Sequence, residues 1–269
     1  MSIKEKVLEH LEESYGKSVS GSAIAESLGI TRSAVWKAVN VLRSEGYNIT
    51  AVTNKGYCLS ESCDALTEAG VAALLETKEL GRKLDIFKGV DSAADFARSI
   101  AAIGAAHGTV IISEYNVNTN RRRSTRKSTG PESSGIYMSI VIRKKLPEAR
   151  TPMLKLWTAA AAAKAVSEAT KLPCTFSGDT IICGGKPVGY IGCDIIMSKQ
   201  TEFLNYAVTD VCLCISSTSE NNKFTPLRTA ANTGIHRSAL SADILNRLEK
   251  LMSSRNDEEV MAYIKGITV

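Results

Sequence analysis

Apolar positions recur at helical spacing three times in the first sixty residues, and then the pattern switches to strands. Ile3, Val7, Leu8 and Leu11 fall on one face and predict a first helix with that face buried. Ser20 to Gly29 predicts a short second helix with Ala23, Ile24 and Leu28 inward. Ser20 is its N-cap, and Gly29 supplies the left-handed residue at its end. Ile30 plugs the turn. Thr31 caps a third helix over Arg32–Glu45, whose Val35, Val39 and Leu42 face inward, and Gly46 ends it. Two strands follow, Tyr47–Thr53 and Tyr57–Ser60, joined by the hairpin signal Asn54-Lys55-Gly56.

Helix, short helix, tight turn, helix and hairpin is the order of a winged helix-turn-helix. The N-terminal part of the third helix presents Thr31, Arg32, Ser33, Trp36, Lys37 and Asn40 outward, with Ser20 nearby and Lys55 at the wing tip. These donors suit phosphate oxygens and base edges, so double-stranded DNA is the expected partner. A helical protein-contact domain with Trp36 as packing is the alternative.

Beyond a short linking helix over Leu66–Leu75, strand-like runs alternate with alanine-rich helices. The strands are expected over Leu84–Val90, Thr109–Glu114, Gly135–Ile142, Thr180–Cys183, Lys186–Met197 and Asn205–Ser216. The helices are expected over Ala93–Ile103 and Leu154–Thr170, with a last pair from Ser241 to Lys265. This predicts an α+β protein with a winged helix-turn-helix over 1–62, a linker over 63–80, and a mixed sheet covered by helices over 81–269. Trp157 reads as a core residue.

Charge sharpens the picture only locally. The chain carries a net +5, yet residues 1–62 hold seven Lys/Arg against seven Asp/Glu. Within that neutral stretch, Ile30–Ser60 has Arg32, Lys37, Arg43 and Lys55 against Glu45 alone. A second basic block, Asn120–Arg150, holds nine cations against Glu132 and Glu148. Concentrated positive charge suggests phosphate or carboxylate partners. Seven cysteines without a CxxC pair read as reduced core thiols, and no metal site is expected. His10, His107 and His236 are far apart in the chain. With no membrane-length apolar run and no signal-peptide layout, the expected location is the cytoplasm, with no membrane partner.

The run SGSAIAESLGITRSAVWKAVNVLRSEGYNITAVTNKGYCL strongly resembles the DNA-binding domain of bifunctional biotin protein ligases that also repress the biotin operon. The likeness continues through IFKGVDSAADFA, GTVIISEY, SSGIYMSIVIRKK and GGKPVGYIGCDI, covering about residues 5 to 250. It implies a biotin/lipoate ligase-like fold after the winged helix. It also implies biotin and ATP as ligands, with biotinyl-adenylate as intermediate and a carrier-protein lysine as acceptor. A homodimer is implied as well, consistent with paired half-sites on DNA.

The family's chemical motifs are altered here. Its glycine-and-arginine loop GRGRxGRxW corresponds to Thr119–Thr129. Thr119 and Arg121 replace the leading glycines, while Arg122 and, with one insertion, Arg126 align with arginines. Its KWPND reads Thr175-Phe-Ser-Gly-Asp179, so Thr175 stands at the lysine position and Asp179 is kept. Its STN reads Ser92-Ala-Ala94, and its GIN reads Cys214-Ile-Ser216. Lys186 and Gly189 keep the pattern GKxxG. The resemblance thus assigns Ser92, Arg122, Arg126, Lys186 and Gly189 to the ligand. Val269 falls near the start of the family's small SH3-like C-terminal barrel, which is expected to be lacking. The expectation is a transcriptional regulator, a repressor by resemblance. Its degenerate ligase domain would hold a dimer together or sense a small-molecule effector. The alternative is an active biotin or related acyl ligase, and a third reading has Arg121–Lys127 binding nucleic acid.

Overall fold

A computed structural model describes residues 2–14, 17–44, 47, 49–52, 55–59, 66–116, 133–217, 223–231, 234–254, 261–262 and 264–267. The chain divides into two compact units, Met1–Ala73 with His236–Ala239, and Leu74–Ile235 with Leu240–Val269.

The first unit contains α1 (Ile3–Glu13), β1 (Ser18–Val19), α2 (Gly21–Leu28), α3 (Arg32–Ser44), β2 (Ile49–Val52), β3 (Gly56–Leu59) and α4 (Glu68–Ala72). A capping box starts α1: Ser2 Oγ accepts from Glu5 N–H, and the Glu5 carboxylate accepts from Ser2 N–H at 2.8 Å. Its inner face is Val7, Leu8 and Leu11, whereas Ile3 is half exposed, because the first turn extends past the core. Ser20 caps α2 through Ala23 N–H at 3.0 Å, and Gly29 closes it in the left-handed region at φ 62°. The buried residues of α2 are Ile24 and Ala25, not Ala23. Val35, Val39 and Leu42 of α3 are fully buried against them.

The wing is a three-stranded sheet of order β1-β3-β2. The two-residue β1 has no alternating pattern to announce it and is defined only by pairing Ser18 with Cys58 and Val19 with Tyr57. Gly56 has φ 101°, and a Cβ there would collide with the Val19 carbonyl, well inside the 3.0 Å that real Cβ contacts respect. The wing therefore needs glycine twice over, for its turn and for the approach of β1. Arg43 Nε donates to Ile49 O at 2.7 Å, tying α3 to the wing.

In the second unit the order is β4 (Lys83–Val90), α5 (Ala93–Ala102), β5 (Thr109–Asn116), β6 (Ser133–Ile142), α6 (Met153–Thr170), β7 (Cys174–Ser177), β8 (Thr180–Cys183), β9 (Lys186–Met197), β10 (Leu204–Ser217) and α7 (Leu227–Ala231). A last helix, α8 (Arg237–Ser253), begins in the first unit and continues here. The strands form one mixed sheet, β4-β5-β6-β10-β9-β8-β7, parallel only between β4 and β5. The architecture is α+β, as the sequence pattern indicates. The β4–α5–β5 crossover is the parallel unit, and hairpins build the remainder.

Helix α6 is buried on nearly every side, with Ala159 to Ala163 all at 1% exposure or less. Small side chains let it lie close to the sheet, and Trp157 fills space beside them at 2% exposure. Helix α5 buries Ala93, Ala97 and Ala101 against Ile111, Tyr137, Val141, Val208 and Cys212 on the opposite face of the sheet. The β8–β9 hairpin turns at Gly184-Gly185, both at positive φ, which is what a two-residue primed turn demands.

Candidate nucleic-acid interface and ligand site

Helical spacing sets Arg32, Ser33, Trp36, Lys37 and Asn40 along one side of α3. Thr31 Oγ1 accepts from Ala34 N–H at 3.2 Å, and lies 2.9 Å from Ser33 Oγ, so it fixes the helix start. Arg32, Ser33 and Lys37 are exposed, and Asn40 is half-buried. Trp36 is 56% exposed, which removes the reading of this ring as core packing. Ser20 is exposed but has a structural duty as the α2 cap, so its hydroxyl is committed to the backbone. Lys55 is exposed in the turn between β2 and β3. Of the four cations in the basic segment, Arg43 works inward on the wing, leaving Arg32, Lys37 and Lys55 to face solvent.

Register locates the ligand site assigned by resemblance. Val90 pairs Asn116, Ser217 pairs Ser133, Cys214 pairs Gly135, and Leu213 pairs Gly189. One end of the sheet therefore gathers the start of α5, Asn116 and Ser133, the GKxxG segment and Cys214–Ser216. Arg122 and Arg126 lie outside the described residues. Ser92 is the N-cap of α5, its Oγ accepting from Asp95 N–H at 3.2 Å, and Asn116 Oδ1 accepts from Ala93 N–H at 3.2 Å. Gly189 is buried, and a Cβ there would strike the Cys212 carbonyl. That glycine has a packing reason independent of any ligand. Lys186 is exposed at the first position of β9.

Thr175 is half-buried on the edge strand β7 and pairs Ile182, which in turn pairs Pro187, placing Thr175 near the level of Lys186. The sequence pattern alone missed β7. It is four residues long, follows Pro173, and becomes a strand through its partner β8. Asp179 is exposed in the β7–β8 turn beside Gly178 at φ 62°, with Thr180 Oγ1 donating to its Oδ1 at 3.2 Å. Its backbone carbonyl accepts from Ile191 N–H at 2.7 Å. No group of three or more metal-ligating side chains occurs among the described residues.

A charged network also went unread. Asp210, 1% exposed within the apolar run of β10, accepts from Ser139 Oγ at 2.7 Å and meets Arg98 Nη2 at 3.4 Å. Arg98 also binds Asp95 at 2.8 Å and Asp194. A lone acid between Thr209 and Val211 was the available signal, since a buried carboxylate demands partners.

Comparisons with known proteins agree with this geometry. Residues 4–58 match a family described as HTH domain. The chain is 28% identical to the bifunctional ligase/repressor BirA of Bacillus subtilis over 92% of this chain and 78% of that protein. It is 30% identical to the same-named protein of Bacillus spizizenii over 70% of this chain and 58% of that one. The biotin protein ligase of Leishmania major, solved in complex with biotin, superposes with a TM-score of 0.56 at 19% identity, covering 70% of this chain and 82% of that one. No helix among the described residues is long and apolar enough to cross a membrane. The chain is similar in sequence to bifunctional ligase/repressors, and it joins a DNA-binding winged helix-turn-helix to a domain with the biotin protein ligase fold.

Proposed function

We propose that the protein is a transcriptional regulator of the cytoplasm whose ligase-like domain has lost efficient ligation and serves to hold a homodimer or sense a small ligand. The observation that carries this reading is Thr175, a neutral, half-buried side chain at the position the family fills with lysine. A cation beside a reacting carboxylate and phosphate stabilises the charge that builds up in the transition state. Its loss typically costs roughly 10²- to 10³-fold in rate. Among the described residues, the other assigned ones do not replace it. Ser92 and Gly189 have structural duties, Asp179 is itself an acid, and Lys186 is exposed. The altered 119–129 motif supports the same reading, because long and β-branched side chains do not take glycine's turns cheaply.

Calorimetric titration with biotin and with biotinyl-adenylate, paired with operator-binding assays, tests the proposal. The proposal expects DNA binding with either no heat or effector-like binding, and no label on a carrier protein supplied with ATP and biotin. Carrier labelling at a rate comparable to a ligase of the family would overturn it in favour of an active biotin or related acyl ligase.

A further inference from the structure

We infer that Cys174 and Cys183 form a reversible dithiol–disulfide site on the outer hairpin of the sheet. The two residues are direct partners across β7 and β8. Gly184 N–H donates to Pro173 O at 3.0 Å just outside them, so the pair occupies a non-hydrogen-bonded position of the ladder. Such pairs bring Cα atoms to about 4.5 Å, inside the roughly 4.4–6.8 Å that a disulfide spans. The side chains converge on the same face. Thr170 Oγ1 lies 3.5 Å from Cys183 Sγ and 3.9 Å from Cys174 Sγ, and both thiols are free. Neither is a ligand in any reading of the site above.

The surroundings distinguish this pair from the other cysteines. Hydrogen bonds to Cys183 from Cys174, and then from Thr170, favour the Cys183 thiolate and lower its pKa against the effect of burial. Burial, with Asp210 and Asp194 nearby, pushes the Cys193 thiol up to about 12, so it is inert. Cys212 and Cys214 lie two apart on one strand and do not oppose each other. Because β7 is the outermost strand, fraying of one short hairpin admits a small oxidant.

With hydrogen peroxide as oxidant, the Cys183 thiolate attacks one peroxide oxygen and the O–O bond breaks. The leaving hydroxide takes up the thiol's proton as water. The Cys174 thiol then attacks the sulfenic sulfur: the S–S bond forms as the S–O bond breaks, and the hydroxyl leaves with the thiol proton as a second water. Two thiols are oxidised and one peroxide is reduced, and a dithiol such as dithiothreitol reverses the change. The bond would fix the hairpin that carries Thr175, beside Lys186, the partner of Cys183 on β9.

The test treats the full chain with hydrogen peroxide, alkylates under denaturing conditions and cleaves before Asp179, which separates the two cysteines. The inference expects the two fragments to stay linked without reductant and to part with dithiothreitol. The link should be lost in Cys174→Ser and Cys183→Ser and kept in Cys193→Ala. Fragments that part without reductant, both alkylated or with Cys183 carried to sulfinic acid, overturn it. This covalent readout is independent of biotin binding or DNA binding.

Discussion

Replacing Arg98 by methionine isolates the role of the buried carboxylate at the centre of the sheet. Asp210 is 1% exposed, and the guanidinium meets it at 3.4 Å while also binding Asp95 and Asp194. Breaking a buried ion pair by removing one partner generally costs about 3–5 kcal/mol, because the other charge stays buried. Two features reduce that here. Arg98 is one-third exposed, so water already screens it, and Ser139 Oγ still donates to Asp210 at 2.7 Å. We expect Arg98→Met to cost about 2–3 kcal/mol, drawn from that range. At about 2–4 °C per kcal/mol for a unit of this size, the Tm should fall by about 4–12 °C.

The pH dependence of this variant has a definite sign. Without the guanidinium, burial raises the folded-state pKa of Asp210 above its unfolded value of about 3.9. The penalty is then absent below that value and grows as pH rises through the folded pKa, so the deficit at pH 7 should exceed that at pH 4. Replacing both partners, Arg98→Met with Asp210→Leu, should recover most of the loss. Urea denaturation at several pH values measures all three. An Arg98→Met cost below about 0.5 kcal/mol, or a deficit equal at pH 4 and pH 7, would refute the buried-pair reasoning.

Three further outcomes are expected. Burial raises the Glu12 pKa despite the Thr67 hydroxyl bond, so its contribution is fully present below about 4.5 and is lost as pH rises through the folded value. Glu12→Gln should therefore flatten the pH dependence of the helix-turn-helix unit and stabilise it at neutral pH, which thermal scans from pH 4 to 7 will show. Glu249 is penalised by burial, yet its carboxylate accepts from the backbone N–H groups of Leu80, Lys78 and Glu79, and the net effect is a lowered pKa. Its stabilisation is present above about 4.5 and fades as pH falls through the lower folded value, and Glu249→Ala should cost about 1 kcal/mol by chemical denaturation, because solvent screens the carboxylate. Lys37→Ala with Lys55→Ala should leave the Tm unchanged but weaken DNA binding, reducing the salt-dependence slope by about 0.9 for each phosphate contact removed.

Much of the fold was legible where local chemistry and tertiary structure agree. Ser20 and Gly29 bound α2 because a hydroxyl cap and a left-handed residue have few uses elsewhere. Gly184-Gly185 marked its hairpin for the same reason. Legibility failed where neighbours in space decide: β1 and β7 exist through their pairing partners, and α7 is only five residues long. Ile3 and Ala23 match the helical period but sit at the margins of the core, so periodicity alone misplaced them. The ligand site was legible as departures from motif. Its geometry was not, since no spacing shows that Gly189 packs against the Cys212 carbonyl or that Asp210 meets Arg98.

The central claim is best tested by following pyrophosphate release after mixing the protein with biotin, ATP and Mg²⁺, beside an active ligase of the family under the same conditions. The account predicts release at least about 10²-fold slower than the active ligase, as expected for a missing cation at Thr175. Release at a comparable rate would contradict it and return the protein to the working ligases.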